Sequence, residues 1–103
     1  MRFLVKVLFP VEKANAAFKN GKFASIVQSI LAEMKPEATY FSEENGKRGA
    51  YIFCDIQDAS QLPAVAEPWF LAFNASVEFH PAMTLADLAK AGPAIEQAAK
   101  KYA

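Results

Sequence analysis

Cysteine and histidine are nearly missing from this 103-residue sequence, which has one of each, Cys54 and His80. A single thiol excludes a disulfide framework and points to a reducing compartment. No HxH, HxxxH or CxxC spacing occurs, and zinc takes three or four protein ligands, so no metal site is expected. An excess of either charge is also missing: 11 Lys and Arg balance 11 Asp and Glu. That leaves no electrostatic footprint for nucleic acid or an acidic membrane. Long apolar runs are missing too. No window approaches the ~20 apolar residues of a membrane helix. The stretch from Met1 to Pro10 is interrupted by Lys6 and is too short for a signal-peptide core. Repeats, low-complexity tracts and Gly/Ser linkers are absent. These absences lead us to expect a soluble cytoplasmic protein, one domain over residues 1–103, with no cofactor, no metal, no nucleic-acid partner and no membrane partner.

What is present is apolar. Hydrophobic residues make up 53% of the chain, enough to bury a core and to exclude intrinsic disorder. Phe3 to Phe9 is β-branched and aromatic, ends at Pro10, and predicts a strand. Ala14, Ala17 and Phe18 form a short helical stripe that Asn20-Gly21 breaks. Phe23, Ile26, Val27, Ile30, Leu31 and Met34 then recur at helical spacing up to Pro36. Residues 37–43 and 48–56 predict two strands joined at Asn45-Gly46, the favoured type I′ hairpin centre. Asp58 or Ser60 is positioned to cap a helix reaching about Phe73, with Pro63 in its first turn and Pro68 kinking it. Ser76 to Met83 predicts a fourth strand. Thr84 and Asp87 resemble a capping box that opens a short helix, which Gly92 is expected to end. Pro93 can start a last helix to Tyr102.

The order β-α-β-β-α-β with a helical tail predicts an α+β, ferredoxin-like antiparallel sheet with its helices on one face. Residues 1–83 would form that core and 84–103 a C-terminal extension. The two-residue hairpin fixes register: Glu44 opposite Lys47, Glu43 opposite Arg48, Phe41 opposite Ala50, Tyr40 opposite Tyr51. One face then carries the aliphatic set Thr39, Phe41, Ala50, Ile52, Cys54 and Ile56, suited to helices. The other collects Leu4, Lys6, Leu8, Tyr40, Tyr51, Phe53, Asp55, Glu78 and His80. No helix is left to cover these side chains, and an open apolar sheet face of this size marks an interaction surface. Packing against the same face of a second copy, in a homodimer, is the simplest cover.

The segments Lys35-Pro36-Glu37-Ala38-x-Tyr40-Phe41, Gly46-Lys47-Arg48-Gly49 and Glu67-Pro68-Trp69-Phe70, on this element order, resemble a small, functionally uncharacterised bacterial branch of the dimeric α+β barrel superfamily. The resemblance covers residues 1 to about 90. It implies two sheets closing into a shared barrel. Enzymes of that superfamily include cofactor-free monooxygenases, muconolactone-type isomerases and haem-dependent chlorite-dismutase-like proteins. They share no catalytic motif, so the resemblance assigns no catalytic residue.

The residues themselves supply the candidates. Lys6, in mid-strand, costs several kcal/mol to desolvate unless paired or wet. It reads either as an anchor for an anionic ligand or as the partner of Glu78, or of Asp55. Tyr40 and Tyr51, a cross-strand pair, and Phe53 can line an apolar ligand pocket or simply pack at a dimer interface. His80 is a candidate general base, with Asp55 and Glu78 as further proton-moving groups. Trp69 reads as a core residue or as the mouth of a ligand pocket. Cys54 reads as a buried, inert thiol. Arg48-Gly49-Ala50-Tyr51-Ile52-Phe53 is reminiscent of an RNA-recognition signature. Its aromatics fall on the face opposite Arg48, and with neutral charge this excludes RNA binding. Two functions follow as expectations. One is a small cofactor-independent enzyme acting on an apolar or anionic metabolite; the other is a non-catalytic dimeric module that binds a ligand or supplies an interface.

Overall fold

The computed structural model describes all residues, 1–103. Four strands, β1 (Arg2–Leu8), β2 (Ala38–Glu44), β3 (Lys47–Asp55) and β4 (Ser76–Pro81), form one sheet in the order β2-β3-β1-β4. Every neighbouring pair is antiparallel. The helices are α1 (Val11–Lys19), α2 (Phe23–Met34), α3 (Leu62–Phe73), α4 (Leu85–Lys90) and α5 (Gly92–Tyr102), making the chain an α+β protein.

Local chemistry accounts for the boundaries. Pro10 cannot continue the β1 ladder and stands just before α1. Gly21, at φ +73°, makes the left-handed turn between α1 and α2. Asn45 and Gly46, at φ 54° and 77°, take the type I′ geometry, and the β2–β3 register is the one the hairpin dictates. Asp58 caps a 3-10 turn over Ala59–Gln61, and α3 follows from Leu62. The fourth strand stops at Pro81, two residues short of Met83. The Thr84–Asp87 capping box forms. Gly92, however, does not end a helix. It is the first residue of α5, and a single turn residue, Ala91, separates the last two helices.

Alternation along the strands sorts the two faces. Val5, Val7, Phe9, Ala50, Ile52, Cys54 and Ile56 are buried beneath Ala14, Val27, Ile30, Trp69 and Phe73 of α1, α2 and α3. The Phe9 ring lies edge-on to Phe23, Trp69 and Phe73 at 5.1 to 5.9 Å between centroids. Trp69 is fully buried in this cluster. Its indole N–H has no hydrogen-bond partner. Burial of Cys54 pushes its thiol up from the ordinary range, which keeps it unreactive.

The molecule is long for its length in residues. Its radius of gyration is 17.2 Å and its extents are 58 × 28 × 21 Å. A compact chain of this size has a radius of about 13 Å. The last two helices, α4 and α5, contain no buried residue.

Candidate functional site

The sheet face away from α1, α2 and α3 is open. Strand pairing aligns Lys6 between Tyr51 of β3 and Glu78 of β4, and Leu4 between Phe53 and His80. Lys6, Leu4, Leu8, Tyr51 and Phe53 are half-buried on this face, while Tyr40 is 63% exposed.

Polar groups on the face join into one chain. The Tyr51 hydroxyl donates to Glu44 Oε1 at 2.7 Å. Glu44 Oε2 accepts from Lys6 Nζ at 2.7 Å. Lys6 Nζ lies 3.5 Å from Glu78 Oε2, and Glu78 Oε1 lies 3.0 Å from His80 Nε2. The chain therefore crosses all four strands, from β3 through β2 and β1 to β4. Hydrogen bonding to Glu44 holds the Lys6 ammonium above its ordinary value of 10.5, against the opposing effect of its partial desolvation. The same bond, then that from Tyr51, holds the Glu44 carboxyl below 4.5. By accepting the hydrogen bond of the Tyr51 hydroxyl, Glu44 raises that phenol above 10.0.

Glu44 is the member that sequence reasoning missed. Glu78 is a partner of Lys6, as the register implied, but Glu44 is the nearer one. It sits two strands from Lys6 and level with Lys47, four residues along β3 from Tyr51. On a flat sheet that offset is about 13 Å along the strands and about 10 Å across them. The twist and coil of the terminal hairpin, with two extended side chains, close the gap. The available signal was parity: Glu44 shares the face of Tyr40 and Ser42.

The remaining candidates separate. Asp55 lies opposite Arg2, at the far end of β3 from the Lys6 cluster, and accepts from the N-terminal ammonium at 2.6 Å. That bond holds its carboxyl below 3.8. Asp55 is not the partner of Lys6. Tyr40 faces Tyr51 across the ladder without joining the polar chain, and Phe53 forms part of the apolar floor. Trp69 is on the opposite side of the sheet, at 0% exposure, so it lines no pocket mouth and touches nothing bound to the open face.

A concavity lies on the helix side of the sheet. The groove, about 470 Å³ in volume, runs between α2 and β2, lined by Phe18, Phe23, Val27, Leu31 and Phe41 with Arg48 at one end. The Arg48 guanidinium sits 4.8 Å above the Phe18 ring. No three His, Cys, Asp or Glu side chains converge as a metal site. No helix is long and apolar enough to cross a membrane.

Fold and site together define an α+β protein with one helix-covered sheet face and one open face crossed by a polar chain. The sequence belongs to a family described as a domain of unknown function, DUF3303, whose match spans residues 1–96. No curated protein matches it.

Proposed function

We propose that this protein is a cytoplasmic homodimer of the ferredoxin-like, dimeric α+β barrel type, with the two open sheet faces turned toward each other. We further propose that the space between them is a site for cofactor-independent proton transfer on a small, largely apolar carbonyl compound. The observation that carries this reading is the polar chain Tyr51–Glu44–Lys6–Glu78–His80 across an otherwise apolar sheet face. An ammonium has three donors, and two of those on Lys6 face carboxylates. The third is free to hold a carbonyl oxygen and stabilise the enolate formed when a neighbouring C–H is deprotonated. His80, held by Glu78, is the group suited to move that proton. With neutral His80 the chain carries one positive and two negative side chains, so among apolar and anionic metabolites it favours the uncharged ones. Half-buried Leu4, Leu8 and Phe53 supply the apolar walls. Cys54, a single buried thiol, suits the reducing cytoplasm.

The second reading is a dimeric module without chemistry. It is favoured by Tyr40, exposed beside this chain and large enough to fill the space from the partner's side. Native mass spectrometry of the protein purified from its own host distinguishes the two. A co-purified neutral carbonyl compound, lost in Lys6→Met and retained but not turned over in His80→Gln, is the expected result. A dimer of unadorned mass that takes up no carbonyl compound overturns the enzymatic reading and leaves the module.

A further inference from the structure

We propose that Lys6 and Tyr51 form a seat for a carboxylate group, and that Glu44 is a tethered carboxylate filling it, which keeps carboxylate-bearing compounds off the open face. The inference deepens the reading above, and its bearing on substrate choice rests on that reading. The seat is built by the ladder. Lys6 and Tyr51 are direct partners between β1 and β3, which puts their Cβ atoms about 4.5–5.5 Å apart on one face. An ammonium and a phenol O–H are thereby presented side by side, whatever β2 does. One carboxylate takes both: Tyr51 donates to Oε1 of Glu44 and Lys6 to Oε2, each at 2.7 Å. One donor on each oxygen is how a carboxylate ligand is held, and charge assistance makes such bonds short and strong. Water reaches the seat only in part, since the Lys6 side chain is 19% exposed and that of Glu44 29%. Both donors favour the ionised form. They hold the Glu44 carboxyl below its ordinary value, Lys6 first and Tyr51 second.

Glu44 comes to the seat from the hairpin end and is a ladder partner of neither donor. Register sets it opposite Lys47, four residues along β3 from Tyr51. Between those two levels the only β3 residue on the open face is Gly49, which has no side chain to block the crossing. Lys6 has a counter-charge without Glu44. Glu78 is its direct partner on β4, 3.5 Å away. Glu44 therefore adds a second carboxylate to a lysine that already faces one.

The charge count turns this into selection. With Glu44 in place, one ammonium faces two carboxylates, and an incoming carboxylate would be the third. It would also find both short-bond donors taken. With Glu44 removed, the incoming group is only the second and replaces it donor for donor. A neutral carbonyl asks less, because the third N–H of Lys6 is enough to hold it. Rejecting one class of ligand with an internal like charge is a standard source of specificity.

Acetate is the probe, with acetamide as its uncharged isostere and chloride as the control for ionic strength. The full chain carrying Glu44→Ala, which opens the seat, is melted at neutral pH. Acetate at about ten times its dissociation constant is expected to raise the melting temperature by about 5 °C, and to saturate. Acetamide and chloride are expected to do neither, and the native protein should not respond to acetate. Adding Lys6→Met to Glu44→Ala should abolish the response. Glu44→Gln, which keeps the side-chain length and loses the charge, is measured alongside and should respond more weakly in the same direction. No acetate response in either Glu44 variant overturns the proposal, and so does an equal response in the native protein. Both of those outcomes leave the enzymatic reading to the native mass spectrum. An acetate response in Glu44→Ala, with no carbonyl compound taken up by the native protein, overturns the enzymatic reading and leaves the seat.

Discussion

At the scale of single residues, Lys6 gives the open face its character. A lysine at the centre of a sheet survives there because two carboxylates face it and because it keeps 19% of its side-chain surface in water. The chain it anchors makes stability depend on pH at both ends of the range. Glu44 is held below 4.5 in the fold, so its contribution is present above that value and is lost as pH falls through the lowered one. Tyr51 and Lys6 are held above 10.0 and 10.5; their contribution is complete below those values and is lost as pH rises through the raised ones. A melting temperature flat between about pH 5 and 10, with a shoulder on each side, is expected. Glu44→Gln removes the negative charge and one of the two carboxylate oxygens to which Lys6 and Tyr51 donate, and should shrink both shoulders. Shoulders unchanged in that variant would mean that the chain does not form in solution.

At the scale of the element, α3 shows how a sequence with two internal prolines still makes a helix. Pro63 stands in the first turn, where the missing N–H has no intrahelical partner to lose. Pro68 interrupts the interior ladder, and Ala66, Trp69 and Phe73 hold the helix by burial instead. Trp69 carries a cost inside that contribution, because its N–H is buried without an acceptor. An unsatisfied buried donor costs about 1–3 kcal/mol. Trp69→Phe gives up packing but removes that donor, so it should change stability by less than about 1.5 kcal/mol, whereas Trp69→Ala should cost about 3–5 kcal/mol. Chemical denaturation of both variants measures the difference. The helix positions themselves were legible from hydrophobic spacing: the α2 stripe from Phe23 to Met34 packs on the core as read. The end of α4 was not. Gly92 carries the usual signature of a helix stop, yet the backbone resumes a helix at that residue after one turn, because Pro93 fits a first turn as well as any residue does.

At the scale of the whole molecule, two surfaces lack a cover: the open sheet face and the C-terminal arm. The proposed dimer would cover the open sheet face. Phe53, half-buried on the floor of the open face, would then lie inside the interface, while Lys47 at the hairpin tip would lie at its rim. Phe53→Asp should shift the protein from dimer to monomer in sedimentation at micromolar concentration, since a buried unpaired charge costs far more than a rim charge. Lys47→Asp should leave the dimer intact. Equal behaviour of the two variants would place the interface elsewhere.

Sequence alone determined which residues share each face. Period-two alternation and the Asn45-Gly46 turn leave no freedom in register, so the core set around Ile52 and the open set around Tyr51 follow from local rules. It also determined that no disulfide staples the fold, because one cysteine cannot pair within a chain. Tertiary structure decided the rest. Glu44 reaches Lys6 only through the curl of the hairpin, a property of the assembled sheet that no spacing encodes. Trp69 falls in the core rather than beside a ligand because α3 packs its Trp69 side onto Phe9, and several rotations of the helix are compatible with its all-round apolar sequence. The helices α4 and α5 add nothing to the core although α5 carries an apolar stripe, since none of their residues is buried. Contacts between residues distant in sequence depend on geometry summed over the whole chain, and only the folded molecule carries out that sum.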